Sequence, residues 1–417
     1  MRALPPNWMM KMTALPERIR LLDVRIGGTD AGELIKQSQI LFKYRRDDPA
    51  QATVGLLMPP TQITYQSNTL FPVMDQNLPE GYLFQRIREA FPKQPLTAMH
   101  LLTLIGENGI GRLGFHLPEQ ATSQPITPLS RDELLHGQWG PDVFDSLVRA
   151  YLSTGIGIAG IQPKILVPDR ATVPVPNLIV KAGSDAYPGL AANEYLCLSA
   201  ARRAGIETPG FELSDDGQLL LIDRFDLAAD GTRIGFEDIA SLLGLCVRDT
   251  LSDRKYRGSY ELVADTLKMM RLPAGDLARF FEQVALTVMV RNGDGHLKNF
   301  GVLYRNADEI RLAPLFDVVT TILYKYARYE GGPCIEDRTL ALKLLRTSAS
   351  KTYPLPAELS HFGKAVCGVQ QPQVVMQRIA TAMSETLGNA RIDPRIPSAT
   401  LDAITAAWQY GLHYANA

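Results

Sequence analysis

The chain alternates apolar and polar positions over residues 17–75, the period that a half-buried strand requires. RIRLLDVRIGG and ATVGLLMP read as strands, with AGELIKQSQILFKYR between them. LPEGYLFQRIREAF (78–91) and MHLLTLIGENG (99–109) carry helical spacing, and the second ends at a glycine suited to a left-handed stop. GRLGFHLPEQ predicts a short strand, and ATSQPITPLS (121–130) has the composition of a linker. Residues 1–120 thus predict an α+β module. DELLHGQWGPDVFDSLVRAYLSTG is helical in pattern, with a break at Gly140–Pro141. Short strands follow in IQPKILV, NLIVKAG, GFELS and QLLLIDRFD, with one clear helix among them, AANEYLCLSAARRAG, stopped by Gly205. From Phe236 onward helical patterns dominate, apart from a hairpin of GVLY and EIRLAP.

The expected fold class is α+β and bilobal. An N-terminal α/β module (1–125) precedes a linker helix and small sheet-rich lobe (126–235), then a larger helical lobe (236–417). Such a pair of lobes leaves a cleft, where ligands usually sit.

Composition narrows the picture. The 417 residues are 46% apolar, enough for a large core, and length suggests two or three domains. A formal net charge of −1 implies no broad surface for nucleic acid or acidic lipid, although it leaves a local patch open. The four cysteines (Cys197, Cys246, Cys334, Cys367) form no CxxC pair, which favours thiols in a reducing compartment over disulfides or zinc. The first twenty residues place prolines where a secretory signal needs an apolar run, and no stretch approaches the ~20 apolar residues of a membrane span. A soluble cytoplasmic protein, with no membrane partner, is expected. The histidines at 100, 116, 136, 361 and 413 have no metal-ligand spacing.

Chemistry concentrates later in the chain. TGIGIAGIQPK contains Gly155, Gly157 and Gly160 as G-x-G-x-x-G. A dinucleotide fold needs a strand before this motif and a helix after it; here the order is reversed, and the Walker pattern is absent. What survives is a phosphate-covering loop that includes Gly157, Ala159 and Gly160 and feeds the strand containing Lys164; a glycine-rich turn without function fits the motif equally well. Lys181 ends a β-branched strand, and Glu194 lies thirteen residues on, in the clear helix. Such a pair can hold α- and β-phosphates because the glutamate fixes the ammonium, although each residue alone also fits a solvated surface. DRFD falls where an interlobe hinge belongs, so the backbone of Asp223 to Phe225 could meet an adenine edge and Phe225 its ring; an ordinary strand end fits as well.

RNGDGHLKNF (291–300) places Asp294 and Asn299 five apart, the step between base and metal-binding amide in a protein-kinase catalytic loop. In that reading Asp294 accepts or orients a hydroxyl, and Asn299 offers an amide oxygen to Mg2+. Lys298 neutralises the transferred phosphoryl group, and His296 braces the nucleotide-binding loop. Eighteen residues beyond Asn299, Asp317 in PLFDV supplies a second Mg2+ ligand. Separately, N-G-D-G is turn chemistry and Asp317 a helix cap. Jointly, the Gly-rich loop, Lys, Glu, hinge, Asp-x4-Asn and Asp stand in kinase order.

IAGIQPK, NEYLCLSAARRAGI, the R-F-D of DRFD, GDGHLKNF and PLFDV resemble the HipA family of serine/threonine kinase toxins, and DQNLPEG and LLTLIGENGIGRLGF resemble its N-terminal module. The resemblance implies a HipA-like, protein-kinase-like fold. It implies ATP- and Mg2+-dependent phosphorylation of a protein, in this family chiefly an aminoacyl-tRNA synthetase, with arrest of growth. It also implies a helix-turn-helix antitoxin of HipB type, through which alone DNA is met. Carried over, Lys181 contacts phosphates, Lys164 belongs to the phosphate loop, Asp294 is catalytic, Asn299 and Asp317 hold Mg2+, and Asp223 and Phe225 lie at the adenine hinge. The family's loop serine, seven residues before Lys164, is here Gly157, so self-inactivation by autophosphorylation would need Ser153 or Thr154. Two other readings stand beside this one: a kinase-shaped regulator that binds ATP and antitoxin without transfer, and a small-molecule phosphotransferase.

Overall fold

A computed structural model of the chain describes residues 15–45, 52–80, 84, 87–89, 91–107, 109–118, 130–139, 164–167, 177–183, 187–247, 252–327, 334–336 and 338–416. The N-terminal sheet follows from the alternation in the sequence. β1 (Leu21–Ile26) buries every second residue and turns through Gly27 and Gly28, both at positive φ, into β2 (Thr29–Lys36). With β3 (Ile40–Tyr44), β4 (Thr64–Ser67) and β5 (Leu113–His116) it forms an antiparallel sheet in the order β4-β3-β2-β1-β5. Leu22, Val24, Leu34 and Phe42 fill its buried face; α1 (Pro72–Asp75) and α2 (Ala98–Ile105) complete the module, with α2 packed on β5. α2 stops at Gly106, at φ +55, the first of the two glycines in its sequence.

One expectation fails in this module. ATVGLLMP is no strand: residues 52–59 run through turns. Their polar groups are satisfied locally, since Met58 N–H donates to Gly55 O (2.9 Å), Thr53 Oγ1 to Met58 O (3.0 Å), and Val54 N–H to the Tyr44 hydroxyl (2.9 Å). With those bonds made, a ladder is not required. The helix expected over 78–91 is helical at the described residues 84 and 87–89, and it begins later than predicted, since Leu78, Pro79 and Glu80 are irregular chain. Further on, α3 (Arg131–His136) ends at Gly137, earlier than the predicted Gly140–Pro141 break, because Trp139 folds back and its indole N–H donates to Leu134 O (2.9 Å). The rest of that predicted helix, to 155, lies outside the described residues.

The second sheet has the order β6-β7-β9-β8, from β6 (Lys164–Val167), β7 (Leu178–Ala182), β8 (Phe211–Leu213) and β9 (Leu219–Asp223), all antiparallel. α4 (Leu190–Arg203) packs beside it and ends at Gly205, φ +73, as its sequence predicts. β10 (Gly235–Asp238) then pairs with β11 (Gly301–Tyr304) and β12 (Ile310–Leu312). β11 and β12 are the expected hairpin; β10 is a strand where helical texture was expected. It is too short to show a period, and its partner is more than sixty residues away.

Helices make up most of the remainder: α5 (Ile239–Leu242), α6 (Tyr260–Met269), α7 (Asp276–Met289), α8 (Pro356–Ala365), α9 (Pro372–Ala390) and α10 (Ser398–Leu412). A small pair, β13 (Lys325–Ala327) and β14 (Cys334–Glu336), sits apart. Trp408 is fully buried, and its indole N–H donates to Thr320 Oγ1 (2.9 Å).

The N-terminal module is fastened to the rest by buried polar bonds. Gln76 donates to Phe236 O (2.8 Å) and accepts from Asp238 N–H (3.0 Å), and Asp75 accepts from Val247 N–H (2.8 Å). Arg224 and Asp226, a fully buried ion pair, hold the module's loop: Arg224 donates to Gly109 O (2.8 Å) and Asp226 accepts from Gly111 N–H (2.6 Å). No helix among the described residues is long and apolar enough to cross a membrane.

Candidate active site

The floor of the site is the C-terminal end of α7. Arg291 adopts φ +59 there and closes the helix, with its guanidinium 4.2 Å from the ring centre of Tyr353 and 4.7 Å from that of Tyr410. Asn292 Oδ1 accepts from Asp294 N–H (3.0 Å), and Gly293 N–H donates to Thr321 Oγ1 (2.7 Å). Gly295 allows a close approach: a Cβ there would stand 2.8 Å from Thr287 Cγ2, so one of the two would have to shift. The polar loop is therefore built on a packed helix end, with turn chemistry setting its path.

Asp317 is brought to this loop by β11 and β12. It sits at φ +58, a conformation that aspartate tolerates better than most side chains. Asn193, one residue before Glu194, clamps the segment that follows: its Oδ1 accepts from Thr320 N–H (2.9 Å) and its Nδ2 donates to Thr320 O (3.0 Å). One amide thus fixes the helix carrying Glu194 against the chain carrying Asp317.

Lys181, Glu194, Asn299 and Asp317 converge. The Lys181 ammonium pairs with Glu194 and, at 2.9 Å, with Asp317 Oδ1. The other oxygen of Asp317 accepts from Asn299 Nδ2 (3.0 Å). Burial alone would lower the Lys181 pKa, but the Asp317 and Glu194 carboxylates outweigh it and hold the ammonium above its ordinary value. Asn299 Oδ1 accepts from His296 N–H (3.0 Å), which sets the amide's orientation. On the same loop Asp294 is half-buried and accepts from the Tyr256 hydroxyl (2.7 Å), with His296 Nε2 at 3.9 Å. Burial, and then the Lys255 charge, push the His296 ring well below its ordinary pKa, so it is neutral; its Nδ1 has no hydrogen-bond partner among the described residues.

The remaining candidates fall elsewhere. The Lys298 ammonium, expected to face a phosphoryl group, is instead paired, largely out of solvent, with the buried Glu80 carboxylate of the N-terminal module. Asp223 ends β9 and pairs with Arg131. Phe225 stacks on Phe316 (5.0 Å between ring centres) and meets Phe236 edge-on (5.4 Å), which braces the residue preceding Asp317. Lys164 lies in β6 opposite Lys181. Gly157, Ala159 and Gly160 lie outside the described residues, as do Ser153 and Thr154.

Sequence reasoning missed Tyr256, Glu80 and Asn193. The polar run before α6 hinted at the first. Glu80 lies in DQNLPEG, but nothing local linked it to Lys298, which is 218 residues away.

The donor set suits a hard cation shared with a ligand. Among the described residues no group of three or more His, Cys, Asp or Glu could hold a metal. Mg2+ commonly takes one or two protein oxygens and completes its shell with phosphate and water. Asp317 and Asn299 offer such oxygens, and each has lone pairs beyond the bonds above.

The architecture, with a small sheet carrying Lys181 beside a helix carrying Glu194 and a larger helical part carrying the polar loop, is a kinase-like α+β fold. Family models match two parts of the chain: the HipA N-terminal domain over residues 22–116 and the HipA-like C-terminal domain over residues 156–390. The chain belongs to the HipA family. It is similar to two Sinorhizobium fredii proteins named "Putative kinase Y4dM" (26% identical, covering 74% of this chain and 78% of that one) and "Putative kinase Y4mE" (24%, 73% and 78%). Among solved structures, HipA from the Shewanella oneidensis MR-1 HipA, HipB and operator DNA complex matches over 95% of this chain and 96% of its own, with a TM-score of 0.68 at 17% identity. At that identity the likeness speaks for the fold.

Proposed function

We propose that the chain is an ATP-dependent serine/threonine protein kinase and the toxin of a HipA/HipB-type pair. The observation that carries this reading is the Lys181 ammonium held between Glu194 and Asp317, with Asn299 on the other Asp317 oxygen. A buried cation fixed by two carboxylates can meet α- and β-phosphates without reorganising. The substrate hydroxyl lies at Asp294, which orients it and takes its proton as the oxygen bonds to the γ-phosphorus and the bond to the β-phosphate oxygen breaks, releasing ADP. Asn299 and Asp317 would hold Mg2+ through their side-chain oxygens, and the ion would supply neutralisation of phosphate charge. Lys164, Gly157, Ala159 and Gly160 cover the phosphates; Asp223 and Phe225 receive the adenine through backbone groups; His296, neutral and packed, stiffens the loop.

The chain divides at about 125 and 235 into the N-terminal module, the small lobe and the helical lobe, and acts in the cytoplasm. Its partners are a helix-turn-helix antitoxin, which supplies the DNA contact, and a protein substrate such as an aminoacyl-tRNA synthetase. The likeness to a protein solved with HipB and operator DNA supports the first.

Incubation of wild type and Asp294→Asn with γ-labelled Mg·ATP and candidate synthetases tests the reading. Wild type should label serine or threonine, and the variant should lose about 10²–10⁴-fold in rate. Undiminished transfer by the variant would remove Asp294 from its role.

A further inference from the structure

Three elements far apart in sequence meet behind the polar loop. Glu80, from the N-terminal module, is buried and shares its carboxylate between two ammonium groups: that of Lys298 of the loop, largely buried, and that of the buried Lys255 at 3.0 Å. Burial pushes the Glu80 carboxyl up, but Lys298 and Lys255 outweigh it and hold its pKa at about 2. Lys255 is followed by Tyr256, whose hydroxyl donates to Asp294 Oδ1 (2.7 Å) and whose ring meets His296 edge-on (5.1 Å). Lys351 donates to the carbonyl of Tyr256 (2.7 Å), fixing that residue from the far side. Asp238 also faces the Lys298 charge.

We infer that Glu80 is a positioning residue for phosphoryl transfer, holding the loop through Lys298 and the Asp294 carboxylate through Lys255 and Tyr256. The inference rests on the kinase reading for its rate consequences, not for its geometry. Two ammonium groups can share a buried pocket only while a carboxylate lies between them. Remove its charge, and Lys255 and Lys298 repel. One is next to the tyrosine that aims Asp294; the other is next to Asn299. The N-terminal module is then part of the working site and not an appended domain, and Lys298 acts as the loop's tether.

The test uses the full chain as Glu80→Gln, Glu80→Asp and Tyr256→Phe. Amide hydrogen exchange comes first, because it needs no activity. In Glu80→Gln the amides of 252–256 and 291–300 should exchange roughly tenfold faster while helix 190–203 keeps its protection. Unchanged exchange at 291–300, or an equal rise throughout the chain, overturns the inference. Turnover of γ-labelled Mg·ATP follows. Glu80→Gln should lower kcat on the order of 10²-fold with KM for ATP nearly unchanged, Glu80→Asp should retain much of the rate, and Tyr256→Phe, which keeps the fold and deletes one hydroxyl, should lower kcat alone. Wild-type kcat in Glu80→Gln and Tyr256→Phe overturns it. A wild type without any turnover removes the kinase reading instead, and the exchange result then decides the positioning role.

Discussion

Lys181 shows how one residue sets the terms of the site. Its side chain and that of Glu194 are 5% and 1% exposed, so neither charge is hydrated, and each depends on the other. Lys181→Met would remove the cation that lies between the Glu194 and Asp317 carboxylates. Truncating one partner of a buried pair costs about 3–5 kcal/mol. We expect a large fall in melting temperature for Lys181→Met and partial recovery when Glu194→Gln is added, read as a coupling in a double-mutant cycle. Additive effects would mean that the pair is less tightly coupled than its burial requires. Asp317 at positive φ is the second such residue: a left-handed aspartate presents its two oxygens to Lys181 and Asn299 at once.

At the scale of elements, the seat of α10 on the end of α7 keeps the loop in place. Gly411 makes that contact possible, since a Cβ there would stand 2.0 Å from Met289 O. Gly411→Ala must push α10 outward, at about 1–3 kcal/mol or more. Gly388, in α9, has nothing within 4 Å of a built Cβ, and there alanine gains helix propensity, up to ~1 kcal/mol. The same substitution should therefore lower the melting temperature at 411 and raise it at 388; equal signs in thermal melts would contradict the packing.

Which elements were legible follows from how far their causes reach. β1, the four strands of the second sheet, α4 with its Gly205 stop, and the β11–β12 hairpin are all set by local period and local turns. The stretch 52–59 misleads because its apolar alternation is real, but its backbone is claimed by Tyr44 and Thr53. The spacing of Asp294, Asn299 and Asp317 could be read directly, because a hairpin returns Asp317 to the loop. Tyr256 and Glu80 could not: their partners lie 38 and 218 residues away, and no short motif joins them. Lys298 was legible as a charge but not as a tether, for the same reason.

Across the whole molecule, buried carboxyls at the junction between module and lobes make stability depend on pH. Burial raises Glu237 from 4.5 to about 7 and Asp238 from 3.8 to about 6. Raised carboxyls contribute stability that is full below their unfolded values and is lost as pH climbs through about 6 to 7. Glu80 has the opposite sign: depressed to about 2, it contributes fully above 4.5 and loses its share only as pH falls toward 2. His296, held neutral, also favours higher pH. The wild-type profile sums these, so the clean comparison is with Glu237→Gln. Its melting temperature relative to wild type should improve from pH 5 to pH 8, as wild type comes to bear a buried charge. A difference that does not change with pH would contradict the burial of Glu237 as an acid.

The central claim is that Lys181, Asn299 and Asp317 form one nucleotide-and-metal site beside Asp294. Calorimetric titration of ATP into wild type and Asp317→Asn, with and without Mg2+, tests it most directly. Wild type should bind ATP more tightly when Mg2+ is present, and the variant should lose that difference while still folding. The same Mg2+ dependence in both proteins would contradict the account.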